Sequence, residues 1–190
     1  MQPWFETVTD LCEQADVLRR RPYGLIEMRD ERLLCIRLRP LPKMISLAHL
    51  YWAERWYHRV CHGNRCLLYY NQPRRLPTYL ALKYVVSPRG TTLRTFRGAL
   101  VVLDEIARLK GCDALVCDAA NLHISDRLLA RWGWEPHAPR PWHRNFIKRF
   151  YGTYPSPDEA WGLMNGWPPP GEACPSGTST TVLACGRVGE

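Results

Sequence analysis

Residues 87–98 of this 190-residue chain read SPRGTTLRTFRG. Three guanidinium groups (Arg89, Arg94 and Arg97) and three hydroxyls (Thr91, Thr92 and Thr95) crowd into a turn that runs into a strong helical pattern. N–H groups in the first turn of a helix lack intrahelical partners and carry a positive partial charge. Hydroxyl donors and arginines add charge-assisted contacts of the kind phosphates take. The chemistry this implies is the holding of an anion, with phosphate foremost. Cations at a helix N-terminus oppose its dipole by about 0.3–1 kcal/mol each. Three together therefore weigh against the helix start unless an anion is present. The alternative is that they turn away and pair with Asp104 or Glu105.

Two further groupings carry chemistry. In WHRNFIKRFY (142–151), strand alternation puts Trp142, Arg144, Phe146, Lys148 and Phe150 on one face. Interleaved aromatics and cations are what single-stranded nucleic acid uses, by stacking and phosphate contact. Against this stands an edge strand whose cations snorkel from a core. The spacing His58-x-x-Cys61-His62-x-x-x-Cys66 is reminiscent of a metal cluster, but no second Cys/His pair follows at zinc-site spacing. The expectation is that no metal is held.

The elements that must position these residues follow from periodicity. Phe5, Val8, Leu11, Cys12 and Ala15 predict a helix over 4–19, and YGLIEMR (23–29) and RLLCIRL (32–38) predict a hairpin turning at Asp30-Glu31. A helix is expected over 46–61, then a strand at 66–70, a Pro/Arg turn and a strong strand at 78–86. Phe96, Ala99, Leu100, Leu103, Ile106 and Ala107 mark a helix over 95–110 that Gly111 ends. A short buried strand at 113–118 and a helix over 124–132 complete the core, with Gly133 in the left-handed stop position and Trp134 after it. The strand 78–86, the helix and the strand 113–118 form a right-handed parallel crossover. Such units bind ligands beyond the strand C-termini, which is where 87–98 lies.

Composition bounds the answer. The net charge of +8 is uneven: the first 150 residues carry +11 and the last 40 carry −3. A basic folded part calls for an anionic partner. The N-terminus lacks a signal-peptide pattern, and no apolar run nears the ~20 residues needed to span a bilayer. The eight cysteines then read as reduced thiols in a cytoplasmic protein that does not enter the membrane. Residues 155–190 are rich in Pro, Gly, Ser and Thr and lack periodicity, so a flexible, disordered tail is expected after a single α+β domain over 1–154.

YVVSPRGTTLRTFRGALVVLDEIARLKG, followed by CDALVCDAANLHISDRLLARWGWE and HRNFIKRF, resembles the core of the GNAT superfamily of acyl-CoA-dependent N-acetyltransferases. In that family a strand leads into an Arg/Gln-x-x-Gly-x-Gly/Ala turn that binds the coenzyme A pyrophosphate. A long helix, a strand, a second helix ending in Leu-Gly-Phe and closing strands follow. Here Arg94 and Ala99 match the Arg and the last small residue of that turn, Arg97 stands at a glycine position with Gly98 after it, and Trp132-Gly133-Trp134 replaces Leu-Gly-Phe. The resemblance implies a GNAT-like mixed sheet flanked by helices, with 78–86 splayed from 113–118. It implies acetyl-CoA or another acyl-CoA held by Val85, Val86, Arg89, Thr92, Arg94, Thr95, Arg97, Gly98 and Asn121, the last lying one residue from the family's frequent Asn. The Val85 or Val86 N–H would polarise the thioester carbonyl. A base would deprotonate a small-molecule or peptide amine, and His123, Glu54 and His143 are the candidates, with Glu27 behind them. Leu129 stands where the family often carries the Tyr that protonates the leaving thiolate. The implied function is an N-acyltransferase, or a protein that keeps the fold and binds acyl-CoA without catalysis. The alternative is a non-enzymatic basic protein that binds nucleic acid or another anionic partner.

Overall fold

A computed structural model describes residues 6–39, 63–119, 124–137 and 144–155. These residues form an α+β architecture. Its elements are β1 (Glu6–Val8), α1 (Ala15–Arg20), β2 (Tyr23–Arg29), β3 (Arg32–Arg39), β4 (Arg65–Asn71), β5 (Tyr79–Val86), α2 (Leu93–Leu109), β6 (Ala114–Asp118), α3 (Asp126–Arg131), β7 (Glu135–Pro136) and β8 (Asn145–Arg149). The strands join in one mixed eight-stranded sheet of order β1-β3-β2-β4-β5-β6-β8-β7. Only β5 and β6 are parallel, as a helical crossover demands. The predicted helix over 46–61 and the tail beyond Pro155 lie outside the described residues. Among the described residues no helix is long and apolar enough to cross a membrane.

The core lies between the sheet and α2. Eleven residues of this helix are buried, among them Phe96, Ala99, Leu103 and Ile106. They pack on Ile26, Met28, Ile36, Leu68 and Leu80 of the sheet. Full burial of one such aliphatic side chain contributes about 1.5–3 kcal/mol, so packing outweighs any dipole penalty from Arg94 or Arg97 at the helix start. Both helix stops follow the expected pattern. Past α3, Trp134 N–H donates to Leu129 O and Gly133 N–H to Ala130 O, with Gly133 at φ +82°. Cys112 and Gly111 make the same pair of bonds past α2.

Two features depart from the sequence pattern. The predicted helix over 4–19 is instead a short strand followed by a helix of six residues. Val8 pairs with Ile36 of β3 and is fully buried. The Asp10 side chain accepts from the N–H groups of Cys12 and Glu13, which holds a turn where helix was expected. The second departure is a bulge in β5. Tyr69 of β4 faces Tyr84 while Tyr70 faces Leu82, so Lys83 is an extra residue. The bulge resets alternation: Leu80, Leu82 and Val85 all face α2, and Tyr84 turns to the other face to stack on Tyr69 at 4.7 Å.

Candidate functional site

The parallel pairing of β5 with β6 runs from Tyr79↔Ala114 to Leu82↔Cys117 and stops there. Strand β5 continues to Val86, paired with β4 alone. Strand β6, paired with β8 along its whole length, has one further residue, Asp118. Among the described residues the β5–β6 ladder ends at Leu82, which leaves a notch in the pairing on the β6 side of β5. Consecutive residues of a strand direct their N–H groups to opposite sides. One of Val85 and Val86 accordingly points to β4, and the other points into the notch between β5 and β6.

The chain leaves this notch through 87–92 into α2. Thr92 caps the helix, its Oγ1 accepting from Thr95 N–H at 3.2 Å. Asn64 Oδ1 accepts from Thr92 N–H at 2.9 Å. Thr91 Oγ1 donates to Arg65 O, and Thr95 Oγ1 accepts from Glu31 N–H. Thr95 is fully buried. The three hydroxyls read from the sequence as anion donors thus serve the turn itself: they cap the helix and tie its start to Arg65 and Glu31. Among the described residues, the N–H groups of Leu93 and Arg94 in this first turn have no partner.

The arginines divide. Arg89 is exposed. Arg94 is also exposed, with Glu31 Oε2 at 3.9 Å. Arg97 instead lies over the Trp132 ring, 5.3 Å from its centroid. Neither acid proposed as their partner takes them up in an ion pair. Glu105 accepts from Arg108, and Asp104 accepts from Lys148 at 2.7 Å. Burial pushes the Asp104 carboxyl above its ordinary range, against the pull of Lys148. Gly98 is buried in the helix against the core. The first-turn N–H groups with Arg89 and Arg94 are thus a donor set suited to a pyrophosphate, and the notch beside them supplies one more backbone N–H.

Of the candidate bases, His123, Glu54 and His143 lie outside the described residues, as does Asn121. Glu27 is described and is only 2% exposed. Its carboxylate accepts from Arg37 at 2.9 Å and Arg65 at 2.5 Å. It lies in one row with Leu67 and Val86, on the sheet face turned away from α2. With an oxygen on each guanidinium, Glu27 is a buried ionic crosslink between β2, β3 and β4. The sequence signal for it was a lone acid among apolar residues in YGLIEMR. Its partners could not be read, because they come from two other strands. Leu129 is 5% exposed in the core, and its aliphatic side chain has no proton to donate.

The basic strand resolves differently. Phe146 and Phe150 are each 3% exposed and belong to the core. Lys148 is paired with Asp104, Arg144 with Asp126 and Arg149 with Glu135. The Phe146 and Phe150 faces that nucleic-acid stacking would need are therefore in the core with Ile106, Leu129 and Trp134, and Trp142 lies outside the described residues. Cys66 is also a core residue, and burial pushes its thiol up to about 12. The His and Cys residues grouped with it in the sequence lie outside the described residues. Compared with protein-family models, curated proteins and solved structures, the chain matches none.

Proposed function

We propose that this chain is an acyl-CoA-dependent N-acyltransferase of GNAT type acting on an amine. The observation that carries the reading is the early end of β5–β6 pairing at Leu82↔Cys117, directly before an arginine-bearing helix start. In this reading the coenzyme supplies an activated acyl thioester. The N–H groups of Leu93 and Arg94, with the Arg94 and Arg89 side chains, hold the pyrophosphate. The notch-facing N–H of Val85 or Val86 donates to the thioester oxygen, where negative charge grows as the amine attacks. Arg97, held over the Trp132 ring, is a weaker phosphate contact than the sequence suggests. The amine's proton goes to a base supplied by His123 or Glu54, the C–S bond breaks as the acyl group passes to nitrogen, and coenzyme A leaves as a thiolate that takes its proton from solvent.

Thermal unfolding with coenzyme A tests the reading. Ligand at 100 times its dissociation constant adds about 2.7 kcal/mol, a shift of several degrees. No shift at millimolar acetyl-CoA or longer acyl-CoA sinks it. Leu129 favours a narrower form of the same reading, in which acyl-CoA binds without transfer. Free-thiol release from acetyl-CoA across a panel of amines separates the two.

A further inference from the structure

The start of α2 holds two arginines and no acid in its first turn, which leaves the dipole and the cations in conflict. The fold supplies an acid from elsewhere. The β2–β3 hairpin turns at Asp30 and Glu31, and both residues take left-handed backbone conformations, at φ 49° and 66°. A two-residue hairpin loop of the primed type takes such angles at both central residues, and further contacts fix its tip. Here Asp30 N–H donates to Asn64 O at 2.8 Å, and Glu31 N–H donates to Thr95 Oγ1 at 3.1 Å. These bonds pin the hairpin tip onto the first turn of α2. The pinned tip brings the Glu31 carboxylate to 3.9 Å from Arg94, with 31% of the Glu31 side chain exposed.

We propose that Glu31 is an internal placeholder for the anion, which an incoming pyrophosphate displaces from Arg94. The inference rests on the acyl-CoA reading and adds a determinant of affinity to it. Its charge stabilises the helix start while the ligand is away and competes with the ligand for the same guanidinium. Glu31→Gln keeps the backbone N–H and the side-chain volume and removes only the charge. Its signature is a pair of opposite signs: slightly lower stability without ligand and tighter binding with it. Simple damage to the turn would weaken both.

The test titrates coenzyme A and, separately, inorganic pyrophosphate into the full chain by calorimetry at low ionic strength. Glu31→Gln is expected to bind both about threefold to fivefold more tightly, the size of one partly exposed ion pair. The gain is expected to shrink at 0.5 M salt and to vanish in an Arg94→Ala background. Equal affinity of wild type and Glu31→Gln, or a gain that survives Arg94→Ala, overturns the placeholder and leaves the acyl-CoA reading standing. Absence of coenzyme A binding in both chains overturns the two together.

Discussion

The start of α2 and strand β8 are both arginine- or lysine-rich in sequence, and they end in opposite states. On β8, Lys148 meets Asp104 with only 12% and 11% of the two side chains exposed, and Arg144 and Arg149 meet Asp126 and Glu135. At the start of α2, Arg89 and Arg94 stay exposed, and among the described residues the acid that Arg94 reaches is Glu31, at 3.9 Å. The difference lies in where the fold delivers acids. Helix α2 presents Asp104 to β8 from its middle, three turns from its own arginine-bearing end. A basic run therefore marks a binding site only once the acids have been placed.

Substitutions probe this contrast from its strong side first. Lys148→Met removes one partner of the buried pair and leaves Asp104 uncompensated, at an expected cost of about 3 kcal/mol in denaturant unfolding. Arg94→Ala, on the other side of the comparison, should change stability by less than about 0.5 kcal/mol. Equal losses would erase the distinction. Gly133→Ala comes next. The new Cβ would lie 3.3 Å from Lys148 Cε at a backbone φ of +82°. A loss of about 1–2 kcal/mol is expected from the left-handed conformation alone, and the Lys148 contact adds to it.

The pH dependence of the two kinds of carboxylate sharpens the same point. Asp104 has a raised folded-state pKa, chiefly from burial. Its contribution to stability is therefore full below the ordinary Asp value and is lost as pH rises through the raised one. Glu6 has a lowered one, chiefly because Arg21 donates to it. Its contribution is present above the ordinary Glu value and is lost as pH falls through the lowered one. Chemical denaturation between pH 3 and 7 should show Asp104→Asn and Glu6→Gln changing the slope in opposite directions. Affinity tests the exposed side directly: Arg94→Ala with Arg97→Ala should weaken coenzyme A binding by about tenfold, since each charge-assisted contact here is partly exposed. Unchanged affinity would move the anion site away from this turn.

Local signals carried much of the fold. The apolar spacing of α2, the glycine stops at Gly111 and Gly133 and the hairpin at Asp30-Glu31 each depend on a few neighbouring residues. Such features can be read along the chain because their hydrogen bonds span only a few positions. The strand β1 was misread because Val8 and Leu11 satisfy a helical spacing, while the pairing that decides the matter is with Ile36 and Leu38 far along the chain. The site was legible in kind, as an anion-holding helix start, and less so in membership. Thr92 and Thr95 bond within the protein, and Arg97 turns to Trp132.

By itself the sequence determined the order of elements from β2 to α3, the long amphipathic helix, the glycine stops that end α2 and α3, and the excess of positive charge at the start of α2. Tertiary structure alone decided that β2 lies beside β4 with β3 outside it, that Lys83 bulges from β5, and that the β5–β6 pairing ends at Leu82. It also decided which cations find acids: Lys148 does in the core, while Arg94 reaches only the edge of Glu31. The physical reason is common to all of these. Periodicity and turn chemistry are set by residues three or four apart, whereas register, strand separation and charge pairing depend on distances across a sheet that the chain reaches only when folded.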